Sequence, residues 1–173
     1  MTDQDWKAEF EALYQRGAEA YRAGKTSKAM FDEADVAFLK TIGATAQEIF
    51  DYVEDASYDG DPPFPDVLEV TSIRRDYFLD VMKGQSAESL VKESELPRKT
   101  DAVAGVSWLP RIIAKARAKL RGALPPELMY GCGGDRPFLR RAGLRLPEFL
   151  AFVRDAGDDD QAIVDFYLER AGK

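Results

Sequence analysis

Residues 135–156 read Asp-Arg-Pro-Phe-Leu-Arg-Arg-Ala-Gly-Leu-Arg-Leu-Pro-Glu-Phe-Leu-Ala-Phe-Val-Arg-Asp-Ala, and residues 35–56 read Asp-Val-Ala-Phe-Leu-Lys-Thr-Ile-Gly-Ala-Thr-Ala-Gln-Glu-Ile-Phe-Asp-Tyr-Val-Glu-Asp-Ala. Aligned without a gap, the two stretches are identical at 8 of 22 positions. Self-similarity of this kind is typical of a repeated structural unit. We therefore interpret the chain as two tandem, duplicated helical repeats.

Each repeat predicts two short helices. Asp35 and Asp135 are suited to cap the first helix, and Gly43 and Gly143 are suited to end it. The matched apolar residues recur at spacings of three and four, which places them on one helix face. The predicted fold is all-α, with a pseudo-twofold relation between the repeats.

The division predicted from the repeat places the first unit at residues 1–96 and the second at 97–173, packed as one globular unit. Residues 58–66, which include three prolines, form a loop insertion that the second unit lacks. Residues 97–105 are the predicted linker. Further helices are predicted at residues 2–23, 66–84, 86–95, 110–121 and 158–170.

The composition excludes several classes of function. The chain has no histidine and one cysteine, so it cannot contain a Ser-His-Asp or Cys-His catalytic system, a His-containing zinc site or an internal disulfide. We expect no cofactor and no bound metal. Residues 1–5 lack the features of a signal peptide, and no apolar run is long enough to cross a membrane. These features predict a cytoplasmic protein.

The net charge of −7 is unevenly distributed. Residues 1–97 carry 10 basic and 21 acidic side chains, whereas residues 98–145 carry 11 basic and 3 acidic ones. One interpretation is that the acidic part packs on the basic part, within or between chains. The other is that the basic segment binds an anion. We prefer the first, because acidic surroundings repel nucleic acid over a screening length.

The predicted helix 110–121 carries its basic residues on one face: Arg111, Lys115, Arg117, Lys119 and Arg121. A basic amphipathic helix can lie on nucleic acid, which keeps nucleic-acid binding as an alternative function. Interleaved aromatic residues are absent, so a base-stacking surface is not expected. A solvated face, or one paired with the acidic half, is the default. Arg74 and Arg75 could bind a carboxylate or a phosphate, although a surface salt bridge is the simpler interpretation.

Residues 128–136, Leu-Met-Tyr-Gly-Cys-Gly-Gly-Asp-Arg, form the loop with the strongest functional signal. Backbone amides of glycines before a helix can bind an anion, and the position of Cys132 would stabilise a thiolate. The candidate catalytic residues are Cys132 and Asp135. The candidate ligand-binding residues are Arg111, Gly131, Gly133, Gly134 and Arg136. Against a site stand the negative charge of Asp135 and the tendency of a lone cysteine to be buried and inert.

The segments Trp108–Gly122 and Tyr130–Leu139 give the chain a resemblance to a bacterial family catalogued as domain of unknown function 5069. The resembling features are a Leu-Pro-Arg helix rich in Lys and Ala, a Tyr and Cys loop, and the spacing from Cys132 to Asp135. The resemblance covers about residues 107–170. It implies a small, soluble, helical bacterial protein, and it implies no activity, cofactor or partner.

Three hypotheses about function follow. The first is a non-catalytic binding or interaction protein, as a homodimer or with a protein partner, because no catalytic constellation is recognisable. The second is an enzyme or sensor for a small anionic molecule that uses the Gly-Cys-Gly-Gly loop. The third is nucleic-acid binding through the basic helix, which we do not expect.

Overall fold

The computed structural model of the protein describes residues 3–172, which form eight α-helices and one small β-hairpin. The α-helices are α1 (Asp3–Arg22), α2 (Glu33–Thr41), α3 (Ala46–Asp59), α4 (Phe64–Asp76), α5 (Leu109–Arg121), α6 (Asp135–Arg140), α7 (Leu146–Ala156) and α8 (Asp160–Arg170). Single helical turns also occur at Lys28–Met30, Tyr77–Val81 and Glu93–Glu95. The predicted helical character is confirmed.

The predicted linker, residues 97–105, contains the first strand and the turn of a β-hairpin. Strand β1 (Ala102–Val103) pairs with β2 (Val106–Ser107) in antiparallel register, with Ala102 opposite Ser107. The hairpin extends past the predicted linker and leads directly into α5, and this small β element is a departure from a purely α-helical chain.

The helix predicted at residues 86–95 is wrong except for its last turn. Residues 82–92, which we call the strap, instead run beside the carboxyl end of α5. The Ala87 amide donates to the Arg121 carbonyl at 3.1 Å, and the Val91 amide donates to the Ala123 carbonyl at 2.8 Å. These two amides are hydrogen-bonded to carbonyl groups outside the strap. Their hydrogen bonds are therefore satisfied without a helix.

The helix predicted to open at Asp66 begins earlier, at Phe64. Pro63 is its N-cap residue and Pro65 lies in its first turn, where a missing N–H costs no hydrogen bond. Its other end passes into a π-helical turn at Tyr77–Val81.

The turns at Gly43 and Gly143 have the same backbone geometry. The two φ angles are +71° and +65°. The amide that follows Gly43 donates to Leu39 O at 2.9 Å, and the amide that follows Gly143 donates to Leu139 O at 3.0 Å. Both glycines therefore end a helix as predicted, in the left-handed conformation that glycine adopts at least cost.

One hydrophobic cluster includes residues from both predicted units. Helix α1 packs on α3, and α7 packs on both α4 and α5. Two buried tyrosines connect the units: the Tyr52 hydroxyl donates to Tyr130 O, and the Tyr130 hydroxyl donates to Leu146 O, both at 2.8 Å. The domain boundary at residue 97 stays a prediction.

Ion pairs join the acidic first part of the chain to the basic segment 98–145. Arg136 pairs with Asp55 and Asp61, and Arg145 pairs with Asp66. The insertion 58–66 supplies two of these three carboxylates. The packing of acidic on basic residues therefore occurs within one chain, as the preferred interpretation of the charge pattern expected.

Between residues 3 and 172, no helix is both long and apolar enough for a membrane crossing. The cytoplasmic location stays a prediction.

The two equivalent glycines give a matched test of packing. A Cβ on Gly43 would lie 2.7 Å from Phe78 Cγ, whereas a Cβ on Gly143 would meet nothing within 4 Å. We expect Gly143→Ala to lower the free energy of unfolding by about 1 kcal/mol, the cost of a left-handed alanine. Gly43→Ala adds an overpacking cost, for a total of about 3 kcal/mol. Urea unfolding measures both, and equal losses would contradict the close contact.

Candidate functional site

Helix α5 buries a row of three basic side chains. Arg111, Lys115 and Lys119 follow one another at four-residue intervals, so they lie on one face of the helix. Their relative exposures are 6%, 3% and 4%. Of the two expectations for this face, solvation does not apply to these three residues, whereas pairing with the acidic half applies to Arg111 and Lys119.

Each of the three cations has an acidic partner from a different segment. Arg111 pairs with Glu93 at 3.0 Å, Lys115 pairs with Asp135 at 2.5 Å, and Lys119 pairs with Glu48. A buried charge is tolerated only when it is paired and hydrogen-bonded. All three cations are paired, and the Arg111–Glu93 and Lys115–Asp135 pairs are also hydrogen-bonded.

Because these cations are buried, the basic surface that nucleic-acid binding would require is small. Arg117 already pairs with Asp160 at 2.5 Å and donates to the Gly157 carbonyl. Arg121 is exposed. Three of the five residues predicted to form a basic stripe cannot contact phosphates, because they face the interior.

Asp135 does not cap a helix. It is fully buried, at 0% exposure, and its carboxylate turns inward. One oxygen accepts from Lys115 Nζ and from the Gly131 amide at 2.9 Å, while the other accepts from Trp108 Nε1 at 2.9 Å. The prediction that Asp135 serves as a cap is wrong. The residue instead ties the 130–134 loop to α5.

Cys132 lies beside this buried pair. Its Sγ atom is 3.4 Å from Lys115 Nζ, and the residue is partly exposed. The Asp135 oxygens are already occupied by three donors, so this carboxylate has little capacity to act as a base. Catalytic roles for Cys132 and Asp135 stay predictions.

The predicted anion-binding residues do not form an open cradle. Arg136 is occupied by Asp55, Asp61 and the Gly131 carbonyl. Arg111 binds a different part of the chain, where it donates to Pro97 O at 2.9 Å and pairs with Glu93.

The glycines of the loop have structural surroundings. The Gly131 amide is taken by Asp135, and a Cβ on Gly134 would lie 2.6 Å from the Trp108 ring. Gly133 is exposed and has open space around it. Close packing against Trp108 accounts for Gly134, and anion binding by this loop stays a prediction.

A separate cavity of about 490 Å³ is the better candidate site. It is bordered by the turn between α2 and α3, the strap, the carboxyl end of α5 and the loop that follows α5. Apolar side chains form much of its wall: Ala44, Ala46, Phe78, Leu124, Leu128 and Met129. A concave, largely apolar cavity with a few polar groups is the usual form of a small-molecule site.

The Lys119–Glu48 ion pair lies in the wall of this cavity. Burial lowers the pKa of Lys119 to about 7. The Glu48 amide is capped by the Thr45 hydroxyl at 3.2 Å, but the Glu48 carboxylate turns to Lys119. Thr45 therefore caps α3 through its side chain, without a reciprocal hydrogen bond to the Glu48 carboxylate.

Asp51 and Tyr52 also border the cavity. Burial raises the pKa of the Asp51 carboxyl to about 6, against a lowering effect of the hydrogen bond from Gln47. Burial likewise raises the pKa of the Tyr52 phenol well above its usual value. The Lys119 ammonium lies 5.6 Å from the centre of the Tyr52 ring.

Sequence reasoning did not identify these residues as a site. Lys119 was predicted on a basic face that is solvated or paired with the acidic half, and no specific partner was assigned to it. The signal that could have found them is the four-residue spacing of three cations on a helix that also carries Ile112, Ile113 and Leu120. A cation in phase with an apolar stripe has to be paired inside the protein.

Among residues 3–172, no group of three or more cysteine and acidic side chains is arranged to hold a metal ion. Comparisons with protein-family models, with curated proteins and with solved structures gave no match. The resemblance to the family described above therefore stays a prediction, as does the expectation of a homodimer or a protein partner.

Asp135 and Asp35, the residue aligned with it in the sequence, allow a matched test of the buried pair. Asp35 is partly exposed, and it accepts from Arg16 and from the Asp32 amide. Asp135→Asn leaves the Lys115 ammonium buried without a counter-charge and should cost about 3–5 kcal/mol in unfolding free energy. Asp35→Asn should cost about 1 kcal/mol or less.

The double variant Lys115→Met/Asp135→Asn removes both charges. It should be more stable than Asp135→Asn alone, because no unpaired charge remains. Additive losses in urea unfolding would contradict the pairing.

The raised pKa of Asp51 predicts a pH-dependent effect. Between its unfolded value of 3.8 and about 6, the folded state binds more protons, so its stability falls as the pH rises through this window. At about pH 7.5, Asp51→Asn should therefore raise the unfolding free energy by about 1 kcal/mol, after allowance for solvent screening. At about pH 4, it should have little effect.

Asp165 is the control for Asp51. It accepts from Gln161 with the same four-residue helical spacing and the same 2.8 Å distance as Asp51 from Gln47, but it is exposed. Asp165→Asn should change stability little at either pH. An equal gain in both variants at the higher pH would show that burial is not the cause.

Proposed function

We propose that the protein is a non-catalytic binding protein that holds a small molecule with an apolar body in the 490 Å³ cavity. The observation that carries the proposal is the combination of an apolar wall with the buried Lys119–Glu48 pair. The volume is within the range of roughly 300–1,000 Å³ that is usual for such sites.

The polar groups of the cavity suit binding better than chemistry. Lys119 and Glu48 neutralise one another, and Tyr52 is held by its hydrogen bond to Tyr130 O. None of these groups forms the nucleophile and base arrangement of covalent catalysis. A ligand would gain affinity from burial of its apolar body and orientation from these fixed polar atoms.

Two finer features belong to the same proposal. The first is that the two helical pairs, α2–α3 and α6–α7, are repeats of one duplicated unit. The second is a relationship to the family of unknown function that the Trp108–Gly122 segment resembles. The matching turns at Gly43 and Gly143 support the first feature. Both are compatible with a ligand-binding role and neither identifies the ligand.

The second hypothesis, an enzyme or sensor for a small anionic molecule, is placed here at this cavity instead of at the glycine loop. It is favoured by the basic side chains on the border of the cavity: Lys28, Lys40 and Lys119. The loop residues Gly131, Cys132 and Arg136 have no part in it.

The neutral fluorescent probe N-phenyl-1-naphthylamine tests the proposal, because it offers an apolar body and no charge. We expect saturable binding with a rise in fluorescence. Ala46→Trp, which fills the cavity from its wall, should weaken binding at least about tenfold, equivalent to 1.4 kcal/mol.

Ala37→Trp is the matched control, because Ala37 is exposed on α2 and does not border the cavity. It should bind the probe as the wild type does. Circular dichroism checks that both variants are folded. No saturable binding by the wild type, or equal binding by both variants, would contradict the proposed site.

A further inference from the structure

Arg74 is the most deeply buried cation outside the α5 row. It extends from the last turn of α4, and only 1% of its surface is exposed. The sequence favoured a surface salt bridge at this position, and that interpretation is wrong. The side chain lies behind one wall of the cavity.

The guanidinium of Arg74 has no ion pair with any described carboxylate. Its Nη2 atom donates to the Ser86 hydroxyl at 3.3 Å, and its Nη1 atom lies 3.9 Å from the Met82 sulfur. The ring of Phe78 covers one face, with its centre 5.1 Å from the guanidinium carbon. A hydroxyl, a thioether and an aromatic ring provide no negative charge.

This arrangement is costly for the folded protein. Burial lowers the pKa of Arg74 to about 10, which records how strongly the surroundings disfavour the charge. Arg111, Lys115 and Lys119 are buried to a similar degree, and each has a carboxylate. Arg74 therefore departs from the rule that the rest of the interior follows.

Several residues that contact Arg74 also border the cavity. Ser86, Phe78 and Gly122 all border the cavity. A Cβ on Gly122 would lie 2.5 Å from Arg74 Nη2, so the guanidinium is in contact with this part of the wall. Ser86 belongs to the strap, which is fixed to α5 and the residues that follow it by the two backbone hydrogen bonds from Ala87 and Val91.

We infer that the ligand of this cavity carries an oxyanion, a carboxylate or a phosphate, which Arg74 binds in the place that the Ser86 hydroxyl occupies in the free protein. The inference rests on the proposed function and names the chemical class of its ligand. Two parallel N–H groups of a guanidinium match the geometry of such an oxyanion. The strap has to move only far enough to withdraw one hydroxyl group.

The experiment measures displacement of N-phenyl-1-naphthylamine by three ligands that share an eight-carbon chain: octanoate, octyl phosphate and 1-octanol. In the wild type, at least one of the two anions should displace the probe at a concentration about tenfold or more below that of 1-octanol. A charge-assisted hydrogen bond contributes about the free energy that corresponds to a tenfold difference in affinity. The comparison of octanoate with octyl phosphate decides between the two oxyanions.

Arg74→Met should abolish this preference and leave displacement by 1-octanol unchanged. It should also raise the Tm of the ligand-free protein by about 3 °C, because it removes an uncompensated buried charge. Arg111→Met is the control, since Arg111 has a carboxylate partner and lies outside the cavity. It should lower the Tm and retain the preference for the anion. An Arg74 that only stabilises the fold would give a lower Tm in Arg74→Met.

A second variant keeps the test valid if Arg74→Met does not fold. Ser86→Ala removes the hydroxyl that occupies Arg74 and should increase anion affinity, whereas Ser89→Ala, at an exposed position in the same strap, should not. Equal displacement by all three ligands in the wild type, or an anion preference that survives in Arg74→Met, would overturn the inference while the cavity proposal stands. Failure of the neutral probe to bind would overturn both.

Discussion

The buried pair between Lys115 and Asp135 is the interaction on which the arrangement of the chain depends. An ammonium at 3% exposure and a carboxylate at 0% are each costly alone and are tolerated only together. The pair fixes the start of α6 and the 130–134 loop against α5, and Trp108 and the Gly131 amide complete the carboxylate's hydrogen bonds. Lys119 then fixes the start of α3 from the other part of the chain through Glu48. Helix α5 is therefore held from both sides by buried ion pairs.

Positions that match between the two repeated stretches have different roles in the structure. Asp35 completes a capping box with Asp32, whereas its counterpart Asp135 forms a buried ion pair. Glu148 accepts from the Arg145 amide at 2.7 Å, whereas its counterpart Glu48 turns to Lys119. In each pair, one residue stabilises its own helix and the other is used by α5. The helical framework tolerates this exchange because a lost cap costs only about 1 kcal/mol.

The parts of the fold that depend on neighbouring residues could be predicted from the sequence. The turns at Gly43 and Gly143 follow from a local backbone requirement, and α5 follows from its apolar spacing between Pro110 and Gly122. The strap could not be predicted, because its amides bond to Arg121 and Ala123, which are about thirty residues away. The partner of Lys115 had the same obstacle, since the spacing of the cations on α5 indicates burial but does not identify Asp135, which lies 20 residues further along the chain. The ion pair with Asp135 is what allows the Lys115 ammonium to be buried.

Among the described residues, every buried cation has a carboxylate partner except one beside the cavity. Two buried cations lie at this place, and they differ in what surrounds them. Lys119 meets the Glu48 carboxylate, while Arg74 meets a hydroxyl, a sulfur and a ring. A buried cation that only stabilised the fold could be replaced by an apolar side chain of similar length at little cost in unfolding free energy. The reason is that buried ion pairs rarely stabilise a protein more than well-packed apolar groups do. A buried guanidinium without a carboxylate among the described residues stabilises the fold less than an ion pair or an apolar side chain would. Its presence is explained most simply by the negative charge of a bound ligand. The strap beside Arg74 is attached to α5 and the residues that follow it by two backbone hydrogen bonds, and segments with few buried contacts open at low free energy.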